Sequence, residues 1–345
     1  MELAREVAQY PWTSLSIVGT VKNAGKTTVL NYLYGHLYEL GFSLGLMSTG
    51  RDGEAVDQVT NEPKPPILVR PGTVVATAHH SLVASDAYVE VLTTLPIATR
   101  GGDMVLARVR QEGAMELLGP AAAADVRQVI EALGHHGARR ILVDGSMDRR
   151  RAAAPHVTGY VILASGASLS PQRRVVIDDT ALCVEFLQLG PVPELHLAAK
   201  LQELDSKQVM LLDDDGHLTR MEWETALSRE ESIVAALAPT HEGVVLPGAF
   251  TDGLARALTE HKRPLRVMVT DATCVFLSRP VYRRFCQWGG HIEVLHPIRL
   301  IAVCLNPVGP QGVSFAAGDF MDAMAQAVPH VPLFDIVSGL YRKGG

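Results

Sequence analysis

Short apolar runs alternate with longer segments of helical spacing along most of the 345-residue chain. Leu15-Ser16-Ile17-Val18 suits a buried strand. From Thr27 to Leu40, Val29, Leu30, Leu33, Leu37 and Leu40 fall on one helix face. Ser43 to Ser48 reads as the next strand, ending at the turn Gly50-Arg51-Asp52-Gly53-Glu54. Between residues 67 and 119 the character changes. Thr73 to Ala78, Tyr88 to Leu95 and Met104 to Val109 are short β-type runs separated by Gly, Pro and polar turns, the pattern of an antiparallel insertion. Such an insertion would lie near the strand ends where ligands bind in open α/β sheets, as a lid or a partner surface. Helical spacing returns from Ala121 to Leu133. The strand Arg140 to Asp144 follows, and then Tyr160 to Ala164, which runs into Ser165-Gly166-Ala167-Ser168.

Pro191-Val192-Pro193-Glu194 breaks this pattern, and a second alternating run begins near Lys207. Its expected strands are Val209 to Leu212, Gly243 to Leu246, Arg266 to Thr270, and Ile292 to Leu305 interrupted at Pro297. Its expected helices are Trp223 to Leu237, Asp252 to His261, Pro280 to Trp288 and Asp319 to Ala327. Alternation of this kind gives parallel strands with crossover helices. The expected architecture is therefore α/β with a mostly parallel sheet. Residues 1–205 form a first domain with a β-rich insertion at about 67–119, and residues 206–345 are a second α/β domain or a continuation of the sheet.

The segment Gly19-Thr20-Val21-Lys22-Asn23-Ala24-Gly25-Lys26-Thr27-Thr28 lies between the first strand and the first long helix. In that context backbone N–H groups of the loop and first helical turn converge on one anion, and the helix dipole adds partial positive charge. The reading is a phosphate-binding loop of a P-loop NTPase core. Lys26 supplies a point charge for the outer phosphates and the Thr27 hydroxyl a magnesium ligand. The strict pattern places its first Gly six residues before the Lys; Thr20 holds that slot here, and the Gly is displaced to Gly19. Lys22 either meets phosphate, of its own chain or of a neighbouring subunit, or points to solvent.

Acids at strand ends complete the expected site. Asp144 can hold magnesium directly or through water, or it is half of an Asp144-Gly145 turn. Asp52 is either a second magnesium carboxylate or part of the Arg51-Asp52-Gly53 turn. Arg149, in the charged stretch after Asp144, would stabilise transition-state charge or belong to a solvated loop. Asn306, at the end of a late strand, reads a nucleotide base through its amide or makes an Asn-Pro turn. The chain has no Asn-Lys-x-Asp sequence, the usual guanine reader, so ATP is the expected nucleotide, with Mg2+.

Composition narrows the alternatives. A net charge of −6 argues against a general nucleic-acid binder, which needs clustered Lys and Arg over a broad face. No window approaches the ~20 apolar residues of a membrane span. The opening MELAREVAQYPW interrupts its apolar residues with Glu2, Arg5 and Glu6, unlike a secretory signal, so a cytoplasmic location is expected. Cys183, Cys274, Cys286 and Cys304 show no Cys-x-x-Cys pairing and read as buried free thiols. Asp213-Asp214-Asp215-Gly216 fails the spacing of an EF-hand calcium loop and reads as a tight turn.

Gly19-Thr20 through Thr27 resembles the opening loop of the dethiobiotin synthetases. Lys22 to Thr28 resembles the Lys-Asn-Ser-Gly-Lys-Thr-Thr often found in molybdopterin-guanine dinucleotide accessory NTPases, and Val143-Asp144-Gly145 and Asn306 fit the same group. In dethiobiotin synthetases a Lys after the second strand binds substrate. Met47-Ser48-Thr49-Gly50 occupies that region here without one, which counts against carboxylate-activating ligase chemistry. A resemblance over more of the chain rests on three stretches. These are Leu106-Ala107-Arg108-Val109-Arg110 through Glu116-Leu117-Leu118-Gly119-Pro120, Val143-Asp144-Gly145-Ser146-Met147-Asp148-Arg149, and Leu163-Ala164-Ser165-Gly166-Ala167. They are similar to the smaller subunit of lysine 5,6-aminomutase reactivating factors. That resemblance implies an ATPase that exchanges damaged cobalamin from a mutase, with an aminomutase and a second reactivase subunit as partners. The alternatives are an ATP-dependent ligase or kinase acting on a small carboxylate or carbamate, and a nucleotide-binding interaction protein that does not hydrolyse.

Overall fold

The computed structural model describes residues 1–49, 66–145, 155–204 and 207–345. In chain order the strands are β1 (Ser14–Gly19), β2 (Leu44–Ser48), β3 (Ile67–Val69), β4 (Val74–Ala78), β5 (Tyr88–Thr99), β6 (Gly102–Gln111), β7 (Gly113–Met115), β8 (Arg140–Asp144) and β9 (Tyr160–Gly166). They continue with β10 (Met210–Asp213), β11 (Leu218–Arg220), β12 (His241–Leu246), β13 (Phe250–Thr251), β14 (Arg266–Val269), β15 (Val275–Phe276) and β16 (His291–Val294). Last come β17 (Arg299–Asn306), β18 (Leu333–Asp335) and β19 (Leu340–Arg342). The chain divides into two compact units, Met1–Ala181 with Arg299–Gly345, and Leu182–Ile298.

The first unit is α/β. Among the described residues its central sheet has ten strands in the order β19-β18-β17-β9-β1-β8-β2-β4-β6-β5. From β18 to β4 every pairing is parallel; β19, β6 and β5 are antiparallel to their neighbours. The parallel part of the sheet is buried on both faces, so its strands are almost wholly apolar. Leu15, Ile17, Leu46, Leu142 and Ile162 face the layer holding helix Lys26–Glu39, which buries Val29, Leu30, Leu33, Tyr34 and Leu37. Met47, Val74, Ile141 and Val143 face the other layer, with Val126, Val129 and Leu133 of helix Ala123–His135. The antiparallel segment expected at 67–119 supplies β4, β6 and β5, which extend this sheet as one edge, while β3 and β7 pair separately.

The second unit is also layered around a sheet, in the order β11-β10-β12-β14-β16. Its pairings correct in part the expectation of parallel strands in the second half. β12, β14 and β16 are parallel, but β10 is antiparallel to both β11 and β12. The Asp213 carboxylate accepts from the N–H groups of Asp215 and His217, closing the β10–β11 hairpin. Helices Glu230–Ala236, Asp252–Leu258 and Arg279–Gln287 cover one face, with Ile233, Leu254 and Phe285 in the core. Helix Leu195–Leu204 covers the other through Leu197 and Leu201. The helix expected from Trp223 to Leu237 is confined to Glu230–Ala236. Its first residue, Trp223, pairs with Val209 instead, accepting from Val209 N–H (2.9 Å), and just before it Met221 N–H donates to Val209 O (2.9 Å).

Three further expectations change. A single boundary near 205 does not describe the chain, because β17 to β19 return to the first sheet, with β17 paired to β9 from Arg299 to Asn306. The run Ile292 to Leu305 is two strands, β16 and β17, which belong to different units. Of the four thiols, Cys304 is buried, Cys183 and Cys274 are half-buried, and Cys286 is exposed rather than buried. Burial pushes the Cys304 thiol well above its ordinary range. No described helix is long and apolar enough to cross a membrane.

One ion network organises the second unit. Arg266, at the start of β14, donates to Glu194 (2.6 Å), Glu242 (3.1 Å) and Glu293 (2.8 Å). Hydrogen bonding from Arg266 holds the Glu194 carboxyl below its usual range. The stability this confers is complete above the unfolded value, near 4.5, and is lost as pH falls through the lower folded value. Arg266→Met leaves three carboxylates clustered without their cation. It is expected to cost about 2–3 kcal/mol at neutral pH, less than a fully buried pair because Glu194 and Glu242 are partly exposed, and to flatten the fall in the urea midpoint as pH drops below about 4.5. Urea titrations of both proteins across that range check this; parallel pH profiles would refute it.

Candidate functional site

β1 lies inside the first sheet between β9 and β8 and ends at Gly19. The β1-to-β2 connection moves one way across the sheet and the β8-to-β9 connection the other. The crevice beside the carboxyl end of β1 is thus where an open α/β sheet offers a ligand site. Parallel register sets Ile17 against both Asp144 and Ile162, and Ser48 against Asp144. Gly19, Asp144, Gly166 and Asn306 all end strands on this edge.

Between β1 and helix Lys26–Glu39 the backbone reverses hand twice. Asn23 has φ +59° and Gly25, the residue preceding the helix, φ +97°. Asn and Gly are the residues that reach this region at least cost. Left-handed residues among right-handed neighbours turn successive N–H groups to one side, the arrangement that receives anions. Ala24 between them is buried in the core and leaves only its backbone for a ligand.

The Lys26 side chain runs back over Gly19. A Cβ at Gly19 would lie 2.9 Å from Lys26 Cγ, 3.0 Å from Cδ and 3.1 Å from Nζ, so only glycine leaves this path open. Lys26 Nζ donates to the Val21 carbonyl at 3.3 Å, which sets the ammonium against the loop's own backbone. The displaced glycine thus has a steric function: it is the residue that Lys26 crosses. Thr27 is half-buried and Thr28 exposed in the first helical turn, and Lys22 is half-buried within the loop.

Asp144 is half-buried at the end of β8. Its carbonyl accepts from Thr49 N–H at 2.8 Å, and Gly145 N–H donates to Ile17 O at 3.0 Å, which ties the ends of β8, β2 and β1 together. Asn306 stands beside the loop: a Cβ at Gly25 would lie 3.6 Å from its Cβ and 3.7 Å from its Nδ2. Its Oδ1 accepts from Val308 N–H (3.1 Å), so the Asn-Pro turn forms while the amide nitrogen side faces Gly25. Asp52 and Arg149 lie outside the described residues.

Three hydroxyls join the site that the motif reading did not include. Ser168 Oγ donates to the Asn23 carbonyl at 2.8 Å, bracing the left-handed residue from the β9 side. Ser165 and Thr180 are both fully buried and bonded to each other at 2.6 Å, and Ser165 accepts from Thr20. Ser165 and Ser168 were visible as strand-end serines, whereas Thr180 lies in a helix with no local signal. No protein-family model, curated protein or solved structure matches the chain.

Proposed function

We propose that residues 19–28 bind the phosphates of ATP with Mg2+, and that the protein is a P-loop ATPase acting on a protein partner. The observation that carries this reading is the path of Lys26 over Gly19, which brings the ammonium to the backbone of a loop with two left-handed residues. Positive charge and converging N–H groups at a helix start suit a polyphosphate. The Thr27 hydroxyl and the Asp144 carboxylate are the groups that would hold magnesium, since hard oxygen donors suit that ion. Bound magnesium would offset charge on the transferring phosphoryl group.

The choice of ATP over GTP rests on the missing Asn-Lys-x-Asp sequence, and Asn306 is the base-side candidate. The partner assignment, an aminomutase together with a second reactivase subunit, rests on the resemblance carried by Leu106–Pro120, Val143–Arg149 and Leu163–Ala167. Calorimetric titration of the full chain with ATP and with GTP, each with and without Mg2+, tests the reading. Magnesium-dependent binding that favours ATP is expected, with slow basal hydrolysis that a protein partner stimulates. Absence of magnesium-dependent binding to either nucleotide would remove the proposal. Phosphoryl transfer to a small carboxylate with no protein present would replace it with the ligase or kinase reading.

A further inference from the structure

Thr20 occupies the slot where the strict loop pattern carries its first glycine, and both of its donors are directed at β9. Its N–H donates to Ala164 O at 3.0 Å and its hydroxyl to Ser165 Oγ at 3.2 Å. Ser165 Oγ lies 2.6 Å from Thr180 Oγ1, which in turn donates to the Val176 carbonyl at 2.6 Å. A hydroxyl has one proton to give. The Thr180 proton goes to Val176, so Ser165 donates to Thr180 and has only its lone pairs to offer Thr20. The hydrogen-bond chain therefore runs in one direction, from Thr20 through Ser165 and Thr180 to Val176.

Ser165 and Thr180 are both 0% exposed, where an unmade hydrogen bond is costly and a made one is rigid. Thr20 is the residue next to Gly19, which Lys26 crosses, and next to Val21, whose carbonyl meets the Lys26 ammonium. Fixing Thr20 sideways therefore fixes both surfaces against which Lys26 is held. We propose that Ser165 and Thr180 are positioning residues that hold the loop in its binding conformation through Thr20. The proposal rests on the nucleotide-binding reading for its purpose, but its geometry is independent of nucleotide. It also gives the departure from the strict motif a cause, because a glycine at position 20 would have no hydroxyl with which to engage Ser165.

The test is millisecond amide hydrogen exchange over residues 20–25 in the nucleotide-free full chain, paired with magnesium ATP titration. The proteins compared are wild type, Ser165→Ala, Thr180→Val, Thr180→Ser, Thr20→Gly and the double variant Thr20→Gly/Ser165→Ala. Ser165→Ala and Thr180→Val are expected to speed loop exchange by about five- to tenfold, the loss of one hydrogen bond, and to weaken ATP binding by a similar factor. Thr180→Ser keeps the hydroxyl and is expected to restore both. Because Ser165 acts through Thr20, the double variant should be no looser than Thr20→Gly alone. Loop exchange unchanged in Ser165→Ala while thermal stability falls, or additive effects in the double variant, would overturn the proposal. A wild-type chain that binds no nucleotide would remove the functional reading, and the exchange comparison would still decide whether Ser165 and Thr180 position the loop.

Discussion

Replacing Lys26 with alanine is expected to lower affinity for magnesium ATP by at least about 100-fold, or ~2.7 kcal/mol, while shifting the melting temperature by no more than about 2 °C. The two effects separate because of where the side chain lies. Lys26 is half-buried at the start of its helix and belongs to no apolar core cluster, so truncating it removes little of the packing that holds the fold. The ammonium is nevertheless the positive side chain that Gly19 allows to lie along the loop backbone. A polyphosphate that loses it keeps the backbone N–H donors, the magnesium ion and the helix dipole, and the dipole is worth under about 1 kcal/mol at an exposed site. Lys26→Arg is not expected to rescue binding. A wider planar group has to follow a path on which a single carbon at Gly19 would already approach within 3.1 Å of Lys26 Cγ, Cδ and Nζ. Titration calorimetry and thermal melts on the same samples check both halves. Wild-type affinity in the alanine variant would sink the assignment of Lys26.

The strand-loop-helix at the site was legible because the code there is local. A buried β run passes into 3.6-residue spacing across residues that tolerate positive φ, and Asn23 and Gly25 are the residues with that geometry. The role of the displaced Gly19 was not legible, since it depends on how close a side chain seven positions later passes. Thr180 was hidden for a similar reason: it reaches the loop only through Ser165, whose other partner Thr20 is distant in sequence, and a threonine within a helix carries no signature. The return of β17 to the first sheet was equally hidden. Leu300 to Leu305 reads as an apolar strand whichever sheet receives it, and its pairing with β9 spans well over a hundred residues. At Trp223 helical spacing was overridden by backbone pairing with Val209. Local pattern thus specified element type well and left the choice of partner strand to long-range packing.

Gly166→Ala tests that long-range packing at the edge of the site and is expected to cost about 3–5 kcal/mol, the upper range for a single substitution. A Cβ there would lie 1.9 Å from Asn306 O, 2.7 Å from its carbonyl carbon and 2.9 Å from its Cα. These are backbone atoms of the strand paired in register with Gly166, so no rotamer change relieves the overlap. β9 and β17 must part at their carboxyl ends, breaking the 2.9 Å bond from Ala167 N–H to Asn306 O. The same movement would displace the neighbouring Ser165 from Thr20, so weakened loop protection should accompany the lost stability. Gly134→Ala is the matched control. Gly134 is exposed in helix Ala123–His135 with nothing within 4 Å of its Cβ position, so alanine should stabilise by about 0.5–1 kcal/mol through helix propensity alone. Urea midpoints of the two variants should therefore move in opposite directions from wild type. Similar shifts would mean that the close approach of β9 and β17 at Gly166 does not constrain this edge of the sheet.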